Sequence, residues 1–287
     1  MRSLLRFVLG HPIAGRRKLA SLLRILWWQT MSRIRKDSII QFGQSSKLLV
    51  SRGMTGATGN VYAGLHEFRE MAFFLHACRS TDLFLDVGAN IGSYSILMGR
   101  EVGCKLMSFE PVPSIFKRLE VNLQLNGLSA KSAVNMGVGG QLGELRFSSD
   151  LDTVNHVLPA QSTKGVVVPV TTLDEVVKSA PQILIKIDVE GYEMEVIRGA
   201  RQTLKDCLGI MVELNGAGEA YGHSDESIRC ELNGLGFVEV DYNPFNRELE
   251  SGRGQGDNAL FVREVDLEVM KARLSSASQF RVRGVEF

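Results

Sequence analysis

The sequence has few cysteines, and their spacing does not indicate a metal or disulfide framework. The four cysteines among 287 residues are far apart, with no Cys-x-x-Cys pair and no histidine at a zinc-like distance: Cys78, Cys104, Cys207 and Cys230. This pattern argues against a zinc ribbon and against a small scaffold held by disulfides. We therefore expect reduced core thiols in a cytoplasmic protein.

The amino-terminal segment also lacks a long apolar run. Its longest charge-free stretch, Phe7 to Gly15, is interrupted by His11 and Pro12 and falls far short of the ~20 residues needed to span a bilayer. It is equally short for a signal peptide, and Arg16-Arg17-Lys18 follows at once. We predict neither a membrane span nor a secretion signal here.

Acidic residues are missing from the first 36 positions, which hold nine of the 33 basic residues. The rest of the chain has 24 basic residues against all 32 acidic ones, a balance of −8. This division gives no indication of nucleic-acid binding by the core, and it confines any anionic partner to the first segment. At 287 residues with 44% hydrophobic residues, the chain is long enough for a single catalytic domain with an extension.

The basic segment contains an amphipathic helical pattern. Four leucines recur at helical spacing, while Arg17, Ser21, Arg24 and Trp28 fall on another side: Leu19, Leu22, Leu23 and Leu26. One interpretation is peripheral contact of residues 1–36 with an anionic membrane, with Trp27 and Trp28 as interfacial anchors. The other is a helix folded onto the enzyme with its cations in water, which we favour.

A strand, a glycine turn and a helix follow one another without a spacer around residue 88. Leu83 to Val87 is apolar enough for a parallel strand covered on both faces. Gly88 and Gly92 allow a tight turn that a ligand can approach closely. The turn lacks the Gly-x-Gly-x-x-Gly pattern of dinucleotide sites, because Asn90 and Ser93 replace two of its glycines. Asp86 adds a negative charge beside the turn, which favours a positively charged ligand such as S-adenosylmethionine.

Strands and helices alternate after this turn, which predicts an open, doubly wound α/β sheet. Lys105 to Phe109 reads as a strand, Pro113 to Asn126 as a helix and Ser132 to Val138 as a strand. Glu110 follows the second strand, the position at which such sheets place an acid on ribose hydroxyls. The alternative is a helix cap before Pro111, and we favour the ribose role.

Two further segments are candidate substrate elements. Gly143 to Ser149 and Val166 to Val170 read as an inserted strand pair around a loop with three polar side chains: Asp152, Asn155 and His156. The glycine- and threonine-rich stretch Arg52 to Gly59 reads as a loop of the kind that forms lids. A helix is predicted from Leu65 to Ala77. Three side chains in or just before this helix are candidates for the pocket rim: Tyr62, His66 and Glu67.

Acidic residues gather after the strand Ile183 to Ile187, which we expect beside the first strand, at the switch point of the sheet. Asp188 and Glu190 should therefore reach the ligand. With His156 they are the candidate catalytic bases. A divalent metal held by Asp188, Glu190 and Glu213 would be an alternative, and we favour a reaction without metal. The later strands Phe237 to Tyr242 and Asp257 to Val262 should close the sheet as an antiparallel edge. A helix and a frayed end should follow from Val265.

Four ordered motifs resemble the FkbM-type methyltransferase family. They are Asp-Val-Gly-Ala-Asn-Ile-Gly at 86–92, Phe-Glu-Pro at 109–111, Thr-Leu-Asp at 172–174 and Ile-Lys-Ile-Asp-Val-Glu-Gly at 185–191, with Arg-Gly-Ala at 198–200 and Val-Glu at 212–213 as minor matches. The resemblance covers about residues 60 to 262. Residues 1–50 lie outside it.

This resemblance implies a seven-stranded, Rossmann-like S-adenosylmethionine fold and methylation of a hydroxyl on a sugar, lipid-linked glycan or secondary-metabolite acceptor. The cofactor-binding residues it implies are Asp86, Gly88, Asn90, Gly92 and Glu110. We divide the chain into an extension (1–50), a methyltransferase domain (51–264) and a carboxyl-terminal helix and tail (265–287). A dinucleotide-dependent oxidoreductase and a non-catalytic cofactor-binding scaffold are the competing interpretations.

Overall fold

The computed structural model describes residues 2–148, 155–158, 162–178, 180 and 182–287. Its helices are α1 (Arg2–Gly10), α2 (Lys18–Ile34), α3 (Thr55–Ala63), α4 (Phe68–Ala77), α5 (Ser93–Ile96), α6 (Pro113–Leu125), α7 (Leu173–Val176), α8 (Glu193–Arg198), α9 (Asp225–Gly234) and α10 (Leu267–Ser276). Its first eight strands are β1 (Asp37–Gln41), β2 (Lys47–Ser51), β3 (Leu83–Val87), β4 (Lys105–Phe109), β5 (Ala133–Val134), β6 (Gly137–Val138), β7 (Gly143–Phe147) and β8 (Val166–Thr171). The later strands are β9 (Ile183–Ile187), β10 (Cys207–Glu213), β11 (Phe237–Asn243), β12 (Glu248–Ser251), β13 (Asn258–Arg263), β14 (Arg281–Val282) and β15 (Val285–Glu286).

The central sheet confirms the doubly wound, Rossmann-like prediction. Its order is β12-β11-β13-β10-β9-β3-β4-β5. The five strands β5, β4, β3, β9 and β10 are parallel to one another. Strand β13 lies between β10 and β11 and is antiparallel to both. Seven of these strands form the predicted sheet, and the short strand β12 extends its antiparallel edge. Strand β9 pairs directly with β3, so the acidic segment after β9 lies beside the glycine turn, as expected.

Both faces of the sheet are covered, which explains the apolar strands. Phe84 and Leu184 belong to one buried cluster, and their neighbours Leu85 and Ile185 belong to the other. Because successive strand residues point to opposite faces, a strand packed on both sides must be apolar at nearly every position.

The amino-terminal arm folds onto this body, with a different face inward from the one that the leucine pattern predicts. Ser21, Ile25 and Trp28 of α2 are buried, whereas Leu19 and Leu26 are 72% and 65% exposed. The prediction that Trp28 is an interfacial anchor is therefore wrong, because its side chain is buried. The side of α2 with Ser21, Ile25 and Trp28 is buried instead of the leucines because residues next to it also make polar contacts with α3.

The stretch predicted as a loop at 52–59 is largely helical, since α3 begins at Thr55. Arg24 donates a hydrogen bond to the Tyr62 carbonyl at 3.0 Å, and Gln29 donates one to the Tyr62 hydroxyl at 2.9 Å. A Cβ at Gly59 would lie 2.4 Å from the His66 ring. Tertiary packing thus requires a small residue in this helix and overrides the low helix propensity of glycine.

Two other boundaries differ from the predictions, while the inserted strand pair agrees. The segment Ser132 to Val138 is divided between two short strands, with β5 in the main sheet and β6 in a three-stranded sheet of order β6-β8-β7. The predicted pair of inserted strands is present as β7 and β8, which are antiparallel. The helix expected at Leu65 begins at Phe68.

The carboxyl-terminal end is ordered rather than frayed. Phe280 and Phe287 exchange two backbone hydrogen bonds of 3.0 Å, and both side chains are buried. The Phe287 ring lies 5.0 Å from the ring of Phe68. Strands β14 and β15 therefore attach the end of the chain to α4.

Two further findings concern the remaining expectations. Among the described helices, none is both long enough and apolar enough to cross a membrane. All four cysteines are free, and three of them are buried, but Cys230 is exposed and is not the core thiol that we expected. The division of the chain at residues 50 and 264 stays a prediction.

Candidate active site

A cavity of about 290 Å³ lies at the carboxyl ends of β3, β4, β9 and β10. In open α/β sheets this edge is where ligands bind, because the loops that follow neighbouring parallel strands converge there. The strand-end and turn residues that line it are Gly88, Ala89, Asn90, Ile91, Glu110, Pro111, Lys186, Asp188, Val189, Glu190 and Glu213. Other elements contribute Ala57, Asn60, His66, Glu67, Met71, Ser93, Tyr94, Ile115, Phe147 and Asn155.

The glycine turn lies as predicted, but its glycines are required by the protein itself. Gly88 has a φ of +78°, and a Cβ there would lie 1.7 Å from the carbonyl oxygen of Asp188. Gly92 has a φ of +91°, and its Cβ would meet the side chain of Leu119 at 2.6 Å. The close approach is therefore between β3 and β9 and between the turn and α6. Asn90 has a φ of +50° and accepts a hydrogen bond at its own Oδ1 from the backbone N–H of Ile91, as asparagine often does in this conformation.

Glu110 lies at the predicted position, where it caps α6 and also lines the cavity, while its ribose role stays a prediction. Its Oε2 accepts a hydrogen bond of 3.0 Å from the Asn90 backbone N–H, and its Oε1 accepts one of 2.8 Å from the backbone N–H of Val112, the residue just before α6. Burial raises the pKa of Glu110 to about 7, against the opposing effect of these two N–H groups. Each carboxylate oxygen keeps a second lone pair, so the capping contacts leave acceptors for a ligand in the cavity.

Asp86 lies below the turn and is not among the described residues that line the cavity. Its Oδ2 accepts hydrogen bonds from the Ser95 backbone N–H at 3.0 Å and the Ser95 hydroxyl at 2.5 Å. Its Oδ1 lies 3.6 Å from the Nζ of Lys186. Asp86 thus fixes the start of α5 and the lysine. Its direct contact with a ligand stays a prediction.

Lys186 is a site residue that the sequence interpretation missed. Its Nζ donates to the Gly88 carbonyl oxygen at 2.7 Å and lies 3.1 Å from Oδ2 of Asp188. Burial by itself would lower the pKa of Lys186, but Asp188 and Asp86 together raise it above its ordinary value. The signal for it was a single lysine inside a strand whose five residues are otherwise isoleucine and leucine.

The structure brings Asp188, Glu190 and Glu213 together, as the sheet order predicted. Each offers a carboxylate oxygen within 4.8 Å of the others. Burial and then the negative charges of Asp188 and Glu193 raise the pKa of Glu190 to about 7. Burial and the charges of Asp188 and Glu190 raise the pKa of Glu213 to about 9, and its buried Oε2 has no hydrogen-bond partner among the described residues.

The backbone around Glu190 is held in an unusual conformation. Glu190 has a φ of +55°, a region that non-glycine residues rarely occupy. The buried carboxylate of Glu193 accepts hydrogen bonds from the N–H groups of Val189 at 3.1 Å and Gly191 at 3.0 Å. Glu193 therefore supports the turn that places Glu190 in the cavity, and it does so from the amino end of α8.

The predicted substrate loop is described only in part. Asp152 lies outside the described residues. Asn155 lines the cavity, and its Oδ1 accepts a hydrogen bond from the Ser148 hydroxyl at 3.2 Å. His156 is not among the described lining residues; its backbone N–H donates to the Ser148 hydroxyl and its carbonyl oxygen accepts from the Ser148 backbone N–H, both at 3.0 Å. The catalytic role of His156 stays a prediction.

The opposite wall comes from α3, α4 and α5. His66 and Glu67 line the cavity as expected, whereas Tyr62 faces α2. The Tyr94 hydroxyl donates to Oε2 of Glu67 at 2.8 Å, and the Asn60 side chain donates to the Ser93 hydroxyl at 3.2 Å. Asn60 and Tyr94 were not predicted, because their positions depend on how α3 and α5 pack.

The described lining residues give the cavity an acidic character, with five carboxyl groups and a single lysine: Glu67, Glu110, Asp188, Glu190, Glu213 and Lys186. Such a site attracts a cation and disfavours a pyrophosphate. The geometry therefore supports the sequence argument against a dinucleotide.

The chain is similar in sequence to known methyltransferases. The chain is 26% identical over 145 residues to the hexuronic acid methyltransferase AglP of Haloferax volcanii, a match that covers 49% of this chain and 59% of AglP. It is 27% identical over 181 residues to methyltransferase 1 of Beauveria bassiana, with 52% and 73% covered. The chain thus spans less than two thirds of the length of AglP.

A solved structure of the methyltransferase FkbM from Methylobacillus flagellatus is similar over 64% of this chain and 44% of that chain, with a TM-score of 0.42 and 17% identity. The methyltransferase FkbM domain family matches residues 86–239. This range begins at Asp86, contains all the strand-end acids named above and ends within β11. The chain therefore belongs to the FkbM methyltransferase family.

Proposed function

We propose that the protein transfers a methyl group from S-adenosylmethionine to a hydroxyl oxygen of a neutral acceptor, such as a sugar, a glycan or a secondary metabolite. The observation that carries this proposal is the acidic cavity at the switch point of a sheet that belongs to a methyltransferase family. The ends of β4, β9 and β10 present carboxyl groups on both sides of the glycine turn. This arrangement favours the methyltransferase over the oxidoreductase interpretation.

The described residues fit this cofactor. Glu110 would hold the ribose diol, because a carboxylate accepts hydrogen bonds from two neighbouring hydroxyls. The turn Gly88 to Asn90 would contact the cofactor through its backbone, and Ile91 and Ile115 provide apolar surface for an adenine ring. S-adenosylmethionine supplies an electrophilic methyl on a positive sulfur. The nearby negative charge of Asp188 would stabilise that sulfonium in the ground state, so the rate must come mainly from positioning.

Glu190 is the proposed general base. With a pKa raised to about 7, it can take a proton from a hydroxyl at neutral pH and still be half ionised, which is the condition for efficient base catalysis. Asp188 is paired with Lys186, so it is better suited to accept a hydrogen bond that orients the acceptor. Glu213, with its pKa raised to about 9, would be protonated at neutral pH and would donate to Asp188.

The acidic lining also bears on the acceptor. A hexuronic acid, as in the name of AglP, brings a carboxylate of its own, and the only lysine in the described lining is already held by Gly88 and Asp188. A second carboxylate near Asp188 and Glu190 would be repelled. We therefore expect neutral hydroxyl acceptors to be used in preference to uronic acids.

Binding and transfer assays test this proposal separately. Calorimetric titration should detect S-adenosylmethionine and S-adenosylhomocysteine but not NAD. Methyl transfer from radiolabelled cofactor should then be measured on matched acceptors, namely glucosides and the corresponding glucuronides. Tight NAD binding without a response to S-adenosylhomocysteine would overturn the cofactor assignment, and faster transfer to the glucuronides would overturn the acceptor assignment alone.

A further inference from the structure

Helix α2 presents an apolar face to solvent, which we call the leucine face: Leu19, Leu23, Leu26, Trp27 and Ile34. These side chains are all at least 45% exposed, from Trp27 at 45% to Leu19 and Ile34 at 72%. At 100° per residue they occupy an arc of roughly 100° on one side of the helix. An exposed stripe of this size on a helix whose other side is packed indicates an interaction surface.

Contacts on the buried side of α2 fix the orientation of the helix, with the leucine face toward solvent. Trp28 is 3% exposed and Ile25 is 4% exposed, and both belong to the same hydrophobic cluster as Phe84 of the central sheet. The Ser21 hydroxyl donates to the Ala14 carbonyl oxygen at 3.0 Å. Arg24 and Gln29 bind Tyr62 of α3. Turning the leucines inward would break all of these contacts.

The segment that carries the leucine face is rich in exposed cations. Among its described side chains before residue 37, seven basic ones are exposed: Arg6, Arg16, Arg17, Lys18, Arg33, Arg35 and Lys36. No acidic residue occurs in this segment, and in the described part of the chain no ion pair joins one of these seven to a carboxylate. An apolar stripe in a segment whose exposed cations have no carboxylate partner is complementary to an anionic bilayer surface, where leucine and tryptophan enter the headgroup region and cations contact phosphates.

We propose that the leucine face binds anionic lipid surfaces and holds the enzyme at a membrane. A second copy of the chain is a poorer occupant, because a two-fold symmetric contact would bring the same cations against one another. Helix α2 packs on α3, and α3 lines the cavity with Ala57 and Asn60. The membrane surface would therefore lie one helix away from the active site. This proposal does not depend on which acceptor is methylated.

Vesicle co-sedimentation of the full chain tests the proposal. The wild-type protein should pellet with vesicles that contain phosphatidylglycerol but not with pure phosphatidylcholine, and added NaCl should weaken its binding. The double variant L23E/L26E should lose binding by more than tenfold, and each of R33Q and K36Q should weaken it by about five-fold. The matched controls are L142E, at a leucine that is 62% exposed elsewhere, and K117Q with K131Q.

Three outcomes would overturn the proposal. Equal pelleting with both kinds of vesicle, or with neither, would exclude anionic lipid as the partner of the leucine face. Unchanged binding of L23E/L26E, with native circular dichroism, would move the lipid contact away from α2. A dimer in sedimentation velocity without lipid that dissociates in L23E/L26E would assign the leucine face to a second copy.

Discussion

The ammonium group of Lys186 lies 2.7 Å from the carbonyl oxygen of Gly88 and joins the end of β9 to the glycine turn after β3. The same nitrogen is within 3.6 Å of Asp86 and within 3.1 Å of Asp188. One buried cation therefore holds the backbone turn and two strand-end acids in a fixed arrangement. The first prediction concerns its removal.

Lys186→Met should destabilise the protein by about 3–5 kcal/mol, because it leaves Asp86 buried without its cation. Urea unfolding followed by circular dichroism measures this change. The matched control is Lys178→Met, at a lysine side chain that is 76% exposed, for which the free energy of unfolding should hardly change. A loss below about 1 kcal/mol for Lys186→Met, the range of an exposed ion pair, would show that the lysine does not support the turn.

Glu110→Gln should weaken S-adenosylhomocysteine binding by about 1.5–3 kcal/mol, the range for a hydrogen bond to a charged group. The amide keeps the size of the side chain but cannot accept at both of its terminal atoms. Calorimetric titration measures the affinity. Thr172→Val is the control, since it removes the cap of α7 at a residue that is not among the described lining of the cavity, and it should cost stability without changing affinity. Wild-type affinity in Glu110→Gln would leave Glu110 with only its capping role.

The rate of methyl transfer should depend on the ionisation of Glu190. Because its pKa is about 7 and the base must be deprotonated, we expect the rate to fall about tenfold per pH unit below that value and to level off above it. Glu190→Gln should lower transfer by ~10²–10⁴ and leave S-adenosylmethionine affinity within a few-fold.

Asp188→Asn and His156→Ala serve as comparisons for Glu190→Gln. If all three variants kept full activity and the pH profile of the wild-type protein, the base would lie elsewhere. A large loss only in His156→Ala would transfer the role to the histidine loop.

Glu213 should make the free protein less stable as the pH rises. Its pKa is raised from an ordinary value of 4.5 to about 9, so the folded state binds a proton that the unfolded state has released. The free energy of unfolding should therefore decrease between about pH 4.5 and 9. Glu213→Gln, which cannot ionise, should flatten this decrease. Urea unfolding at several pH values measures it, and an identical slope in the variant would contradict the buried, protonated carboxyl.

Chelation separates the metal-free reaction from its alternative. Asp188, Glu190 and Glu213 lie close enough together to hold a divalent ion, yet we expect EDTA to leave the transfer rate unchanged. Loss of activity in EDTA with recovery on adding Mg²⁺ would assign these carboxylates to a metal.

Much of the site could be predicted from the sequence because parallel strands impose a simple geometry. The strand from Leu83 to Val87 and the one from Ile183 to Ile187 are apolar at nearly every position, which identifies them as central strands. Residues that directly follow such strands meet at one edge of the sheet. Glu110, Asp188, Glu190 and Glu213 therefore line one cavity, although more than one hundred residues separate the first from the last.

Contacts between elements decided the rest. The leucine periodicity of α2 indicated a helix but not which side would be buried, because the contacts of Trp28 and Tyr62 settle that choice. The helix α3 forms against its propensity, since Gly59 must pack on His66. The sequence by itself determined the order of the central strands and which acids meet at their ends, because strand order and side-chain position follow from local patterns. Only the tertiary structure decided which of those acids is paired, which is protonated and which side of α2 faces water, because these depend on burial and on neighbours distant in the chain.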